Sequence, residues 1–414
     1  MIIEGRKNIN PWFYVPTTYF AEGLPYVLVN TMVVVFYKKM NVSNDVIAFL
    51  TSWLFLPWTV KFLWGPVVDV FGTKRKWIIY TQMLMAAFVL FSSIFVSSSY
   101  FLAITLILFM AVAFLSATHD IAVDGFYMLS MDEKKQAFFV GIRAFFYRLA
   151  MLFSSSVLII YAGRLESISS VASAWRIVFM IVSLILAVLF LYHAYILPFP
   201  EIDKPSKEFS WKDLLDAVAS YFKQDKIFIT VLFIIFYRFG EAMLLRIAPL
   251  FMLDPYSKGG LGLSTSQYGT VYGTFGLIFL IIGNIIGGVI IAKWGLKKSI
   301  WPMALFLNLP DLVYVYMAYH NTLSIYYIYI LVSFEQFGYG LGTTAFMYYL
   351  IQQTGERYKT THFAVSTSIM AMGLMVPGML SGKLQLMMGY PSFFILVCLL
   401  TIPGMLLIPF LRYK

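Results

Sequence analysis

The sequence has few charged residues for its length. Only 12% of its 414 residues are Asp, Glu, Lys or Arg, about half the share found in an average soluble domain. One cysteine, Cys398, is present, which excludes an internal disulfide and a thiolate metal cluster. No phosphate-binding glycine loop, zinc-ligand spacing or nucleophile elbow occurs. We therefore expect no enzyme, no nucleic-acid partner, no metal site and no cofactor.

Apolar residues fill the chain instead. They make up 60% of it, and the mean hydropathy is +0.80. Membrane-spanning helices need about 20 apolar residues, and twelve such runs occur. They lie at about 13–37, 46–68, 77–96, 100–123, 137–162, 175–197, 227–252, 266–292, 300–318, 323–349, 361–382 and 392–410. The first run is too long for a signal-peptide core, so we expect no cleaved leader. These runs, numbered spans 1 to 12, predict an all-α polytopic membrane protein.

The one long connection divides the twelve spans into six plus six. It begins with Pro198, Pro200 and Pro205 and continues as FSWKDLLDAVASYFKQ, whose apolar residues fall on one helical face. An amphipathic helix on the membrane surface explains this pattern, and a solvated linker helix is the alternative. We predict a six-helix bundle over 1–197, a cytoplasmic linker over 198–226 and a second six-helix bundle over 227–414.

The distribution of basic residues predicts the orientation. Nineteen lysines and arginines lie in loops and termini on one side of the predicted spans, and six lie on the other side. Basic loops stay on the cytoplasmic side of a membrane. We therefore expect both termini and the long connection in the cytoplasm.

A repeat relates the two halves. The loop after span 2 reads GPVVDVFGTKRK from Gly65, and the loop after span 8 reads GVIIAKWGLKK from Gly288. Their glycines and basic pairs recur at an offset of 223 residues, and FAEGL in span 1 matches FGEAM in span 7 at an offset of 219. Duplicated six-helix halves indicate a major facilitator fold with twelve transmembrane helices in two pseudo-symmetric halves. The loop residues then predict a cytoplasmic gate, formed by Gly65, Asp69, Gly72, Lys74 and Arg75.

Four segments resemble the AmpG-type permease family, a relative of the acetyl-coenzyme A transporters. They are FAEGLPYVL from Phe20, LPWTVKFLWGPVVDVFGTKRKW from Leu56, SATHDIAVDGFYM from Ser116 and GLGTTAFMYYLIQQTGERYKTTHFAVSTS from Gly340. They occur in order and in both halves. The span 4 and span 10 segments are more specific to the family than the loop motif.

The resemblance implies a transporter that imports cell-wall turnover products across a bacterial inner membrane, driven by the proton gradient. The family's characteristic cargo is an N-acetylglucosaminyl-1,6-anhydro-N-acetylmuramyl peptide. Larger members have two more spans than this chain, and many have a small residue where Glu22 stands. N-acetylmuramic acid or another amino-sugar saccharide is therefore an alternative cargo. Two further alternatives are a transporter of another solute, such as acyl-coenzyme A or an efflux substrate, and a sensor that has the same fold but does not transport. We expect a monomer whose partners are the cargo, protons and membrane lipid.

Acidic residues inside the spans are candidates for proton coupling, because each charge costs about 2.5–3.5 kcal/mol to insert. Glu22 and Glu241 occupy matching repeat positions, and Glu335 lies in span 10. Asp120 and Asp124 share one face of span 4, where Arg143 is expected to join them as a proton-sensitive gate. The alternative for each is a static ion pair. Asp311, in span 9, receives no specific role.

Basic and aromatic residues of the spans are candidates for cargo binding. Arginine can hold a carboxylate of a muropeptide through two parallel hydrogen bonds, and a tyrosine can stack on a sugar ring. The candidates are Arg148, Arg238, Lys61, Tyr26, Tyr147 and Tyr237. Neutralising an acid, for the cations, and packing, for the tyrosines, are the alternatives. His119 could relay protons beside Asp120 or serve as a hydrogen-bonded structural residue.

Overall fold

The long helices of the protein lie close to the predicted apolar runs. The computed structural model describes residues 9–200, 203, 211–354 and 359–413. Within these, ten helices are long and apolar enough to cross a membrane. They are Pro11–Lys39, Asn44–Leu63, Lys74–Phe95, Phe101–Leu129, Glu133–Glu166, Val171–Ile196, Ile227–Leu253, Thr265–Trp294, Leu296–Tyr319 and Thr361–Phe410. The first nine correspond to spans 1 to 9.

Two further features bring the architecture into line with twelve spans. Ile325–Gln352 is a 28-residue helix at the position of span 10. The last helical stretch, Lys359–Leu407, is interrupted at Gly389, whose φ of 75° and ψ of 168° are not helical. This turn separates span 11 from span 12. The prediction of an all-helical polytopic membrane protein is confirmed.

Apolar side chains face outward along the spans. Ile107, Leu184, Ile285 and Leu399 are each more than half exposed, as expected for surfaces that meet lipid. Polar side chains such as Gln82, His119, Glu241 and Glu335 are buried among the helices. Function is therefore to be sought in the interior of the bundle.

Spans 7 and 9 are broken. In span 7, helical geometry stops at Phe236 and begins again at Phe239, with Arg238 at the break. In span 9, Leu296–Asn308 passes through the tight turn Leu309–Asp311 into Leu312–Tyr319. Pro310 lies in that turn and has no backbone N–H to continue the helix. Each break places an acidic residue, Glu241 or Asp311, at the start of a new helical segment.

The chain forms two compact units. The first contains span 1 as far as Phe36 and the chain from Leu63 to span 6; the second contains Tyr37–Phe62 and the chain from the linker helix onward. Span 2 joins the second unit because it packs on span 11. A Cβ at Gly382 would lie 2.5 Å from the backbone oxygen of Asn44. The division into 1–197, 198–226 and 227–414 stays a prediction.

The repeated loops share their backbone geometry. Gly72 has a φ of 88° and Gly295 a φ of 74°, a region that side chains with a Cβ resist. The two glycines are 223 positions apart. The offset predicted from the sequence therefore relates two glycines that both have a positive φ.

Spans 8 and 10 touch backbone to backbone. A Cβ added at Gly283 would lie 2.2 Å from the carbonyl oxygen of Phe337, and one at Gly340 would lie 2.2 Å from that of Leu280. Only glycine permits this approach, which is the packing role expected of a small-residue stripe.

The predicted linker helix is present as Trp211–Phe222. Tyr221 is buried and its hydroxyl accepts a hydrogen bond of 2.9 Å from Ser366 of span 11. Leu215 and Phe222 are exposed. One face of this helix is therefore held by span 11, and another is open to meet the membrane.

Candidate functional site

Three buried carboxylates meet in the second unit. Glu241 of span 7, Asp311 of span 9 and Glu335 of span 10 offer oxygen atoms that all lie within 4.8 Å of one another. Each residue is at most 1% exposed. The breaks in spans 7 and 9 put Glu241 in the first turn of one helical segment and Asp311 immediately before another. The dipole at a helix N-terminus favours negative charge there.

These carboxylates are unequally hydrogen-bonded. Glu335 accepts hydrogen bonds from the amide of Gln336, at 3.0 Å, and from the hydroxyl of Tyr314, at 3.3 Å. Among the described residues, neither carboxylate oxygen of Glu241 or Asp311 has a hydrogen-bond partner. Buried polar atoms without partners are costly, so this cluster has capacity for a proton, a cation or a polar ligand.

Arg238 is the cationic neighbour of the cluster. It lies at the break of span 7 and its charge acts on Glu241. Its guanidinium donates to the hydroxyl of Tyr339 and lies 5.3 Å from the centre of that ring. One arginine balances one of the three carboxylates. Full ionisation would leave net negative charge buried.

The donor set of the cluster is one of hard oxygens, which suit protons and hard cations. The sequence predicted Glu241, Glu335 and Arg238 as candidates, and the structure brings them together. It adds Asp311, for which no role was predicted. Pro310 beside Asp311 was the available signal, because proline within an apolar run marks a helix break.

Tyr237 lies in the packed core. Its ring stacks on Phe346, with centroids 5.0 Å apart, and its hydroxyl donates to the carbonyl of Gly342 at 3.2 Å. Both parts of the side chain are thus engaged. This geometry favours the packing alternative over contact with cargo.

A second group of predicted residues meets in the first unit. Tyr147 lies near enough to Tyr26, Asp120, Glu22 and Arg148 for their charges to act on its hydroxyl. The rings of Tyr26 and Tyr147 lie 6.3 Å apart. Five predicted residues from spans 1, 4 and 5 therefore form one polar and aromatic patch.

The predicted gate cluster of Asp124 and Arg143 exists and includes Tyr19. Arg143 Nη1 lies 3.0 Å from Asp124 Oδ1, and the hydroxyl of Tyr19 donates to the same oxygen at 2.8 Å. Arg143 also donates to the Tyr19 hydroxyl at 2.9 Å. The side chains of Asp124 and Arg143 are 54% and 34% exposed, so water screens this pair.

His119 belongs to a buried hydrogen-bonded chain. Its Nε2 lies 2.9 Å from Gln82 Nε2, and Gln82 Oε1 lies 2.9 Å from His193 Nδ1. His193 Nε2 then lies 2.9 Å from the hydroxyl of Thr17. The chain joins spans 4, 3, 6 and 1, which favours the structural interpretation of His119.

The predicted gate loop is held within the first unit. Asp203 accepts hydrogen bonds from the backbone N–H groups of Lys74, at 2.8 Å, and Arg75, at 3.1 Å. The guanidinium of Arg75 donates to the carbonyls of Ala194 and Leu197 at the end of span 6. Gly65 begins the short helix Gly65–Val70. The side chain of Asp69 lies outside the described residues. Asp203, which follows span 6 in the chain, is the carboxylate seen to bind the N-terminus of span 3.

The predicted cation Lys61 and a further cation, Arg246, lie in the second unit. Lys61 is at the end of span 2, in the short turn Lys61–Leu63. Arg246 of span 7 is buried, 3.5 Å from the hydroxyl of Thr51 and 5.5 Å from the centre of the Phe55 ring. It thus packs span 7 on span 2.

Ionisable residues at the breaks of apolar helices are typical of secondary transporters, and the fold agrees. The nucleoside transporter NupG has a TM-score of 0.74 with this chain at 13% identity, over 98% of this chain and 100% of that one. A D-xylose-proton symporter has a TM-score of 0.71 at 12% identity, over 96% of each. The chain has the fold of a membrane transporter.

The family follows from the sequence. The signature of the Major Facilitator Superfamily matches residues 17–376, and the chain belongs to that family.

Relatives agree with the AmpG-type resemblance. A putative transporter AmpG 4 of Rickettsia conorii is 25% identical over 95% of this chain and 94% of its own. The anhydromuropeptide permease of Escherichia coli K12 is 23% identical over 94% of this chain and 77% of its own. The predicted resemblance is confirmed.

Proposed function

We propose that the protein is a proton-coupled importer of muropeptides or N-acetylmuramic-acid saccharides, working by alternating access. We place it in a bacterial cytoplasmic membrane with both termini in the cytoplasm. The cluster of Glu241, Asp311 and Glu335 is the observation that carries the coupling. The relatives named for AmpG and for anhydromuropeptide support the cargo.

Electrostatics gives the cluster its coupling role. Two unit charges at 4.8 Å repel by about 3–4 kcal/mol at an effective dielectric constant of ~20. Three carboxylates in an apolar interior with one arginine therefore favour uptake of protons. Release follows when the site is exposed to water, because solvation restores the charged forms. Binding and release of protons by the cluster are then coupled to whether the site is closed or open to water.

The patch in the first unit supplies chemistry for the cargo. Arg148 offers a fork of donors that matches the lactyl or peptide carboxylate of a muramyl compound. Tyr26 and Tyr147 present rings against which a sugar can pack. We assign cargo contact to these three residues, with Glu22 and Asp120 as their acidic neighbours.

Uptake into liposomes containing the purified protein tests the proposal. Labelled anhydromuropeptide, N-acetylmuramic acid and acetyl-coenzyme A are compared under an inward proton gradient. We expect uptake of a muramyl compound that stops when a protonophore collapses the gradient. Uptake driven by a sodium gradient at equal pH would contradict proton coupling. Uptake of acetyl-coenzyme A alone would contradict the cargo.

A further inference from the structure

A polar cavity lies among the loops that follow spans 1, 7 and 11. Its volume is about 620 Å³, within the usual range of small-molecule pockets. Its lining includes Lys38, Lys39, Asn44, Asp254, Lys258 and Gln385. These loops follow odd-numbered spans, so they lie on the face opposite the termini, which the proposed orientation makes the outer face.

A buried ion pair forms the inner wall of this cavity. The ammonium of Lys38 lies 2.6 Å from Asp254 Oδ1 and 2.6 Å from Asn44 Oδ1. The side chains of Lys38 and Asp254 are 10% and 3% exposed. Asp254 Oδ2 also accepts a hydrogen bond of 2.5 Å from the hydroxyl of Tyr390. The pair therefore ties the end of span 1 to the end of span 7.

Acid alone does not release this pair under ordinary conditions. Burial opposes ionisation of Asp254, but hydrogen bonds from Lys38 and Tyr390 hold its pKa below the usual 3.8. A carboxylate with a lowered pKa stabilises the fold at higher pH, and that contribution is lost only as the pH falls through the lowered value. Lys39 and Lys258 are the other ionisable residues of the lining, and Tyr390 contacts Asp254. Opening of the pair near neutral pH would need a competing partner for Lys38 or Asp254.

The charge of the cavity favours an anion as the competing partner of Lys38. The lining holds three lysines and one carboxylate. Lys39 and Lys258 are close enough for their charges to act on Lys38. Lys258 is exposed. A ligand carboxylate that enters here meets net positive charge. Lys38, which now pairs with Asp254, is the cation with which it could pair.

We propose that this cavity is an entry subsite for a carboxylate-bearing solute, whose carboxylate replaces Asp254 as the partner of Lys38. The proposal rests on the proposed function for its cargo, a muramyl compound with a lactyl carboxylate. Binding breaks the tie between spans 1 and 7, so the subsite both captures the ligand and loosens the outer face.

Equilibrium binding to the full-length protein in phosphatidylcholine nanodiscs tests the subsite. The probes are N-acetylmuramic acid, glucuronic acid as a carboxylate without the muramyl group, and the neutral N-acetylglucosamine. Lys258→Gln should raise the Kd of the acidic probes about threefold to fivefold, as expected for one exposed charge, and this effect should fade in high salt. N-acetylglucosamine should show no difference between the variants.

Asp254→Asn gives a change of opposite sign. It removes the competing carboxylate while keeping its shape, so the Kd of the acidic probes should fall. Lys383→Gln, an exposed lysine near span 11 but not in the lining, is the matched control and should leave the Kd unchanged. A purely structural network predicts no gain from Asp254→Asn. Unchanged affinity in both Lys258→Gln and Asp254→Asn would overturn the subsite.

Two further arms separate the sources of failure. Glucuronic acid that binds with the same lysine dependence while no muramyl compound is transported would leave the subsite standing and reject the proposed cargo. Uptake of a muramyl compound with an unchanged KM in both variants would support the proposed cargo and reject the subsite. Competition by added phosphatidylglycerol would assign the lysines to a lipid headgroup and overturn the proposal.

Discussion

The two units bury polar residues in opposite ways. In the first unit, Thr17, His193, Gln82 and His119 form a chain whose consecutive members are within hydrogen-bond distance, and of its ring nitrogens His119 Nδ1 has no partner among the described residues. In the second unit, Glu241 and Asp311 bring carboxylates together without hydrogen-bond partners among the described residues. Satisfied polar groups hold helices in place, whereas unsatisfied ionisable groups respond to protons and ligands. The difference separates scaffold from coupling machinery.

The repeat sharpens this contrast. Glu22 and Glu241 stand at matching positions, yet Glu22 is half-buried beside Tyr147 and Glu241 is fully buried in the cluster. Turn geometry at Gly72 and Gly295 is retained. The repeated loops thus share a glycine with positive φ, while the buried polar residues of the two units differ.

The largest expected effect comes from Glu241→Gln. Removing this carboxylate should reduce gradient-driven uptake to the level of protein-free liposomes, because the cluster loses a proton acceptor. Counterflow exchange, which needs no net proton movement, should continue. Both rates are measured with the labelled cargo in the same liposome preparation.

Glu22→Gln is the matched variant for that test. We expect it to retain more gradient-driven uptake than Glu241→Gln, because Glu22 lies outside the carboxylate cluster. Equal loss in both variants would place coupling in both units and remove the contrast. Loss of exchange as well as uptake would assign Glu241 a structural role.

Gln82→Leu should produce an intermediate effect, on stability. It deprives His119 and His193 of a shared partner, at a cost of about 1–3 kcal/mol for each buried group left unsatisfied. The melting temperature of the purified protein should fall, while the pH dependence of uptake stays that of the original protein. Thr17→Val, which removes one bond at the end of the chain, should cost less. A changed pH profile would instead make this chain part of the coupling path.

Asp124→Asn should have the smallest effect. The side chains of Asp124 and Arg143 are 54% and 34% exposed, and such pairs contribute about 0.2–1 kcal/mol. A double-mutant cycle with Arg143→Gln, followed by thermal unfolding, measures the coupling between them. A static pair leaves the uptake rate unchanged. A rate that changes with pH in Asp124→Asn would support the proton-sensitive gate.

Sequence patterns predicted the helices well and the site partly. Hydropathy located the spans because each run must cross the same apolar thickness. It missed the breaks at Arg238 and Asp311, because a window of about 20 residues averages over an interruption of two residues in span 7 or three in span 9. The repeat and the cost of buried charge indicated Glu241, Glu335 and Arg238.

Proximity across the bundle was not available from the pattern. Tyr19 joins Asp124 and Arg143, and Asp311 joins Glu241, through packing between distant spans. Hydropathy ranks such residues by type and cannot say which neighbours they meet. The network of Lys38, Asp254 and Tyr390 was missed for the same reason, since its members come from the ends of three different helical segments.

The close contact of spans 8 and 10 has a mechanical consequence. Because carbonyl oxygens occupy the space next to Gly283 and Gly340, these helices have no side-chain layer through which to slide. The same close contact occurs where the carbonyl oxygen of Phe306 in span 9 meets Gly338 of span 10, and where that of Val397 meets Gly240 of span 7. Glu241 and Asp311 lie beside breaks in their own helices, where fewer backbone hydrogen bonds resist bending. Any movement that a proton induces in the cluster is thus expected as bending at the breaks of spans 7 and 9, and not as sliding of whole helices.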